Sequence, residues 1–236
     1  MTFYSLRSLI VVMSLLLAVL AAPQAQAQIK PKKRDVFFYD LSYVQLVEGP
    51  ADLLEHQWYS NAHQLSLLHE FFRGDHTGLA VGFGYQSLNM HNTMEVTSPR
   101  IDQAGKRYRI VADSTYKSNK QNLKTLFLPL EFRLRSTPND KGNFLRLYLG
   151  LRGGLRIYSY GERETGQTRL RTYKLEEMAR WTADAYVRLG YGNLGIYARY
   201  GLTPVFQSGT LENQQGQITA KLDSFRSLSV GLSLVL

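Results

Sequence analysis

The chain has no cysteine among its 236 residues and no apolar run long enough to cross a membrane as a helix. The first absence excludes a disulfide scaffold and any cysteine-ligated zinc or iron–sulfur centre. The second excludes a helical membrane protein, because a spanning helix needs roughly 20 consecutive apolar residues. Helical periodicity is also missing: no long stretch repeats apolar residues every three or four positions. Neither a phosphate-binding loop nor a dinucleotide fingerprint occurs. What remains is an apolar, aromatic chain, 44% hydrophobic and 12% aromatic, which is too rich in both to be globally disordered.

The first segment reads as an address. Arg7 precedes an apolar stretch from Leu9 to Leu20, and Ala25-Gln26-Ala27 supplies a small-x-small site. This pattern predicts a secretory signal peptide over residues 1–27, cut after Ala27, and therefore export. A short basic lead-in follows at 28–34, with Lys30, Lys32, Lys33 and Arg34, and reads as a solvated tail ahead of one domain at 35–236. The formal charge is +9, and only Arg7 falls within the signal. Excess positive charge can mean nucleic acid. Export and arginines at strand spacing, rather than in a run, argue against that partner.

From residue 35 onward the dominant signal is alternation, the mark of strands. Leu126, Leu128, Leu130, Phe132 and Leu134 share one face, opposite Thr125, Phe127, Pro129, Glu131 and Arg133. Leu145, Leu147, Leu149, Leu151, Leu155 and Ile157 alternate with Arg146, Tyr148, Gly150, Arg152, Gly154, Arg156 and Tyr158. Similar runs predict eight strands near 35–47, 62–73, 77–91, 121–136, 143–160, 178–192, 193–203 and 224–236. The connections alternate between short turns (74–76, 137–142, 192–193) and long segments (48–61, 92–120, 161–177, 204–223). This rhythm predicts an all-β fold: an eight-stranded, antiparallel, up-and-down transmembrane β-barrel with short periplasmic turns and long extracellular loops. Residues 94–98 with 107–113, and 216–222, also read as strands, expected to extend the barrel wall beyond the bilayer. If 107–113 crossed the membrane, a partner such as 216–222 would make the count ten.

Periodicity alone cannot say which face meets which solvent. A soluble exported barrel, like a lipocalin, would turn the leucines inward. Two features favour the opposite arrangement. The apolar faces of the six clearest strands carry no charge, as a lipid-facing wall requires, since an Arg or Lys at mid-depth costs about 2–4 kcal/mol. Gly82, Gly84, Gly150, Gly154, Gly190, Gly195, Gly201 and Gly231 all fall on the polar face, where a narrow barrel interior needs small residues beside large ones. Aromatics gather towards the strand ends: Trp58, Tyr59, Tyr158, Tyr160, Trp181 and Phe225 at one, Phe37, Phe38, Phe71, Phe144 and Tyr191 at the other. Two such bands are expected of an interfacial girdle.

With these residues in view, the chain resembles the small outer-membrane β-barrel proteins (porin-family, or outer-membrane β-barrel domain, proteins) common in Bacteroidota-type bacteria. The resemblance covers about residues 35–236. It rests on Leu126-Phe127-Leu128-Pro129-Leu130-Glu131-Phe132-Arg133, on Tyr148-Leu149-Gly150-Leu151-Arg152-Gly153-Gly154, and on the tail Ser229-Val230-Gly231-Leu232-Ser233-Leu234-Val235-Leu236. Such barrels often end in an aromatic residue, whereas this chain ends in Leu236. The resemblance implies a fold and an outer-membrane location, and little about activity.

Site chemistry is sparse. The inward face predicts a lumen charge network of Glu131, Arg133, Arg146, Arg152, Arg156, Asp184, Arg188 and Arg199, joined by Asp40 and Glu70. At eight strands the interior is filled by side chains, so these charges are expected to pair and plug the barrel. The five histidines disperse on the strand map, which predicts no metal site, and no cofactor is expected. Ser60, His63 and Asp52 form the best hydrolase trio available, without a strained nucleophile turn. Segment 92–120 holds Arg100, Lys106, Arg107, Arg109, Lys117 and Lys120, which suits either lipopolysaccharide phosphates and acidic envelope partners or a solvated loop. The sequence thus predicts a non-enzymatic integral outer-membrane protein with a structural, adhesive or envelope-assembly role carried by its loops. A narrow porin and a lipid-directed barrel hydrolase stand as alternatives.

Overall fold

The computed structural model describes residues 35–49, 54–102, 105–111 and 116–236. The expected signal peptide, the basic lead-in and Asp52 lie outside the described residues. Within them run β1 (Asp35–Val47), β2 (Asn61–Arg73), β3 (Thr77–His91), β4 (Met94–Asp102), β5 (Gly105–Ile110), β6 (Ser118–Arg135) and β7 (Leu145–Thr165). They continue with β8 (Thr168–Tyr173), β9 (Trp181–Tyr191), β10 (Leu194–Gly201), β11 (Thr210–Glu212), β12 (Ile218–Lys221) and β13 (Arg226–Val235).

Eight of these strands close on themselves in the order β1-β2-β3-β6-β7-β9-β10-β13, each antiparallel to both neighbours. Closure leaves the barrel wall no unpaired edge. The strand count is eight because β5 and β12 stay out of the wall. Short turns and both ends of the barrel chain share one rim: Phe38 pairs with Val235 there. The long segments all leave from the other rim.

The alternation resolves into an outer apolar wall and an inner polar filling. Leu126, Leu128, Leu130, Phe132, Leu149 and Leu151 stand exposed on the outside, Leu128 at 67%. Arg133, Arg146, Arg152, Arg188 and Arg199 are all buried, at 4% exposure or less. Gly84 and Gly150 make this interior possible, because a Cβ at Gly84 would lie 2.2 Å from the Phe127 ring and one at Gly150 would lie 2.1 Å from the Tyr186 ring. Among the described residues, the outer face carries charge only towards strand ends: His69 Nδ1 and Asp35 Oδ1 lie 2.6 Å apart there on the weakest apolar strands, and Lys124 lies over the outward-facing Tyr158 ring.

Three expectations are corrected. Tyr158 faces outward rather than inward, because Lys124 pairs with Tyr158 while Thr125 pairs with Arg156, leaving Ile157 as an extra residue. Such a bulge flips the parity of everything beyond it, so Ser159 points in and Tyr158 is exposed. Phe38 and Phe225 do not join an interfacial girdle, since both are fully buried. Trp58, Tyr59, Tyr158 and Trp181 are exposed towards the long-loop rim, and Phe37, Phe71 and Tyr191 towards the other.

The third correction concerns the long segments. β4, β5, β11 and β12 do not extend the barrel wall; they form a separate four-stranded sheet in the order β12-β11-β5-β4. In it β11 runs parallel to β5 and antiparallel to β12. Its inner face carries Met94, Val96, Tyr108 and Leu211, which pack on the barrel-top residues Val44, Leu46, Ala62, Leu88, Met90 and Leu123. Leu54, Leu175, Met178, Val205, Phe206, Leu222 and Phe225 complete this core from the connecting segments. The long-loop mouth is therefore closed by a hydrophobic roof. Only β8 lengthens the wall, as a hairpin partner of β7.

Candidate functional site

The buried polar groups of the barrel form one connected network from the short-turn rim to the roof. At the lower end Glu70 accepts two hydrogen bonds of 2.7 Å from Arg135, and Arg133 lies 3.6 Å from the same carboxylate. Arg133 Nε also donates to Glu131 at 2.8 Å. Glu131 in turn accepts from Arg188 at 2.6 Å, and Arg188 reaches Asp40 at 2.7 Å. Gln64 Nε2 donates to Asp40 at 2.8 Å, while its carbonyl accepts from Arg152 and from the Tyr197 hydroxyl. Arg152 and Arg199 each donate to Asp184 at 2.8 Å, and Arg199 continues to Ser227 and Ser229.

Aromatic faces line the same path. The Arg188 guanidinium lies 4.3 Å from the Phe38 ring centroid and 4.9 Å from that of Tyr186. Arg152 lies 4.4 Å from Phe127, and Arg133 lies 4.9 Å from Tyr148. Guanidinium groups suit this role, because they are weakly hydrated, stack on rings and keep a planar fork for carboxylates. The Arg133–Glu70, Arg188–Glu131 and Arg188–Asp40 pairs link strands that are not neighbours in the wall, so the network fixes register as well as filling space.

Of the residues expected in this network, Glu131, Arg133, Arg152, Asp184, Arg188 and Arg199 meet in it. Arg146 and Arg156 line the interior but reach backbone carbonyls, Gly192 and Val205 respectively, instead of carboxylates. Sequence reasoning did not single out Arg135, Gln64, Gln86, Tyr186 and Tyr197. Their signal was present: Gln86 and both tyrosines fall on the polar face of their strands, and polar inward residues in a narrow barrel must find partners.

A second set of charges braces the roof. All six basic residues of segment 92–120 face carboxylates: Arg100 and Arg107 face Glu212, Lys106 faces Glu177, Arg109 faces Glu95, Lys117 faces Glu164 and Lys120 faces Glu162. Glu162 also receives Arg169 and Arg171 from β8. Burial works to raise the Glu162 pKa, yet the hydrogen bonds from Arg169, Arg171 and Lys120 prevail and hold it at about 2. Tyr108 donates to Glu177 at 2.5 Å, and its burial, then this bond, raises the phenol well above its ordinary range. In the roof, burial lowers His56 to about 4. It lowers His91 to about 4 as well, helped by the positive charge of Lys120 and opposed by Glu162.

The hydrolase trio is not assembled among the described residues. Ser60 is buried and its hydroxyl donates to the His91 carbonyl, at 3.1 Å. His63 points out of the barrel, 2.7 Å from the Tyr39 hydroxyl. The histidines stand apart: His56 and His91 in the roof region, His63 and His69 on the outer wall, His76 in a short turn against the Arg135 carbonyl. No group of three or more potential metal ligands occurs among the described residues.

No family model matches the chain, and no curated protein matches it. Among solved structures, it is similar to Ail, the attachment invasion locus protein of Yersinia pestis, at 11% identity and a TM-score of 0.37, covering 86% of this chain and 97% of that one. The barrel itself is defined by its own strand pairings.

Proposed function

We propose that this chain is a non-enzymatic, non-conducting integral outer-membrane protein, exported behind a cleaved signal at 1–27. Its structural, adhesive or envelope-assembly role is carried by the roof and loops, which face the cell exterior. The observation that carries the reading is the inverted barrel: rows of leucine outside, guanidinium–carboxylate pairs inside. A water-soluble protein rarely exposes a continuous apolar belt of this kind, whereas a bilayer requires it. The apolar stretch of β7 from Leu145 to Leu155 has the 9–11 residues a tilted strand needs to cross the hydrocarbon.

The charge network and the hydrophobic roof both stand against a narrow porin. Eight strands give an interior only wide enough for side chains, and here those side chains are bonded to one another. In segment 92–120 the cations already face carboxylates. Their placement supports bracing of the roof, and capture of lipopolysaccharide phosphates draws no support from it. The lipid partner in this reading is the bilayer around the barrel.

Fractionation after export, combined with gel mobility before and after boiling, tests the reading. It expects recovery with outer membranes and a heat-dependent shift in migration. Recovery in the soluble periplasmic fraction would refute it. Planar-bilayer recording of the folded monomer tests closure, with large stable conductance steps as the contradicting result.

A further inference from the structure

Between the lumen network and the roof lies a cavity of about 20 Å³, walled by Gln86, Arg156, Thr182, Asp184, Arg199 and residues 203–205. Four side-chain atoms of these residues have no protein partner: Gln86 Nε2, Arg156 Nε, Arg199 Nε and Thr182 Oγ1. The first three can only donate hydrogen bonds, and the hydroxyl can donate as well. Gln86 is fixed in this sense because its carbonyl accepts from Arg152 at 2.9 Å. Gln86 and Arg199 are both buried at 4% exposure. The one carboxylate in the wall, Asp184, already accepts from Arg152 and Arg199 through its two oxygens.

Charge runs the same way. Arg156 makes its hydrogen bond to the Val205 carbonyl, at 3.3 Å, and has no carboxylate partner. The lumen as a whole holds more guanidiniums (Arg133, Arg135, Arg146, Arg152, Arg156, Arg188, Arg199) than carboxylates (Asp40, Glu70, Glu131, Asp184). A buried charge without a counter-ion is costly. Water would find acceptors here in Asp184 and in the hydroxyls of Thr125, Thr203 and Ser227, but it leaves the Arg156 charge without a counter-ion. A spherical anion accepts from all four unpartnered donors.

The geometry points to a site for a single monatomic anion of chloride size, held by Arg156, Arg199, Gln86 and Thr182. A cavity needs about 10–15 Å³ to hold one water, so the volume admits one small ion. The anion offsets one of these surplus positive charges beneath the roof and ties β3, β7, β9 and β10 to the segment after β10.

The test is refolding of the full barrel in detergent with bromide, followed by crystallography at the bromine edge. An anomalous peak within reach of Arg156 and Arg199, absent in Arg156→Gln, is the expected result. In parallel, the urea midpoint of the wild type should rise on replacing glutamate by chloride at equal ionic strength, and Arg156→Gln should lose that rise. Thr182→Val, which keeps the charge and removes one donor, should show a weakened rise and serves if Arg156→Gln does not fold. Heat-dependent gel migration of each sample verifies the closed barrel separately. Folded wild type with no bromide peak, or a midpoint indifferent to the anion, overturns the proposal.

Discussion

Arg188 and Asp40, 148 positions apart in the chain, meet inside the barrel at 2.7 Å, and the same guanidinium reaches Glu131 at 2.6 Å. One side chain on β9 thereby joins β1 and β6 across the lumen. Arg188→Met keeps an elongated side chain, leaves Asp40 buried without its cation and leaves Glu131 with Arg133 alone. We expect a loss of about 3–5 kcal/mol, the usual cost of breaking a buried pair from one side. Urea unfolding of the barrel in detergent measures it, and a change within about 0.5 kcal/mol would contradict the network's role.

The close approach at Gly150 gives a second prediction. The Tyr186 ring occupies the position of a Cβ there, and Tyr186 is itself confined, with its hydroxyl 3.3 Å from Glu131. Gly150→Ala should cost about 1–3 kcal/mol through overpacking. Gly153→Ala, three positions on and with open space at its Cβ, should cost much less. Equal effects would show that the interior is looser than this packing implies.

Acid should loosen the roof before the barrel. His56 and His91 titrate near 4 in the folded chain against an ordinary 6.5. Between those values the unfolded chain binds protons that the folded chain does not, so stability falls as pH drops from about 6.5 to about 4, by up to about 1.4 kcal/mol per pH unit for each ring. Glu162, held at about 2 against an ordinary 4.5, adds stability that is complete above 4.5 and is lost as pH falls towards 2. Trp58 fluorescence reports this region, because Trp58 packs on Tyr59 and Tyr59 on His91. His56→Leu should flatten the pH 4–6.5 limb; an unchanged slope would refute the assignment.

The parts of this architecture legible in the sequence are those governed by local parity. The outer positions of β6 and β7 could be read from Leu126 to Leu134 and from Leu145 to Leu155 because a strand alternates strictly. Tyr158 was misplaced because the bulge at Ile157 arises from pairing with β6, which no local pattern encodes. The roof escaped for a related reason. Met94, Val96, Tyr108 and Leu211 lie in segments rich in charge, and their apolar face acquires meaning only when the barrel mouth supplies Val44, Met90 and Leu123 beneath it. The charges of segment 92–120 look available to a ligand in the sequence because, Glu95 apart, their carboxylate partners Glu162, Glu164, Glu177 and Glu212 lie far along the chain.

The central claim is that the exposed leucine rows touch hydrocarbon. The absence of native cysteine allows single labels at Leu128→Cys and Leu151→Cys on the belt, and at Ile101→Cys on the roof sheet, in barrels refolded into vesicles. Quenching by nitroxides on the lipid chains and by a water-soluble quencher then ranks the sites. The account predicts strong quenching from the lipid chains at 128 and 151 and from water at 101. Equal access of the aqueous quencher to all three positions would contradict it.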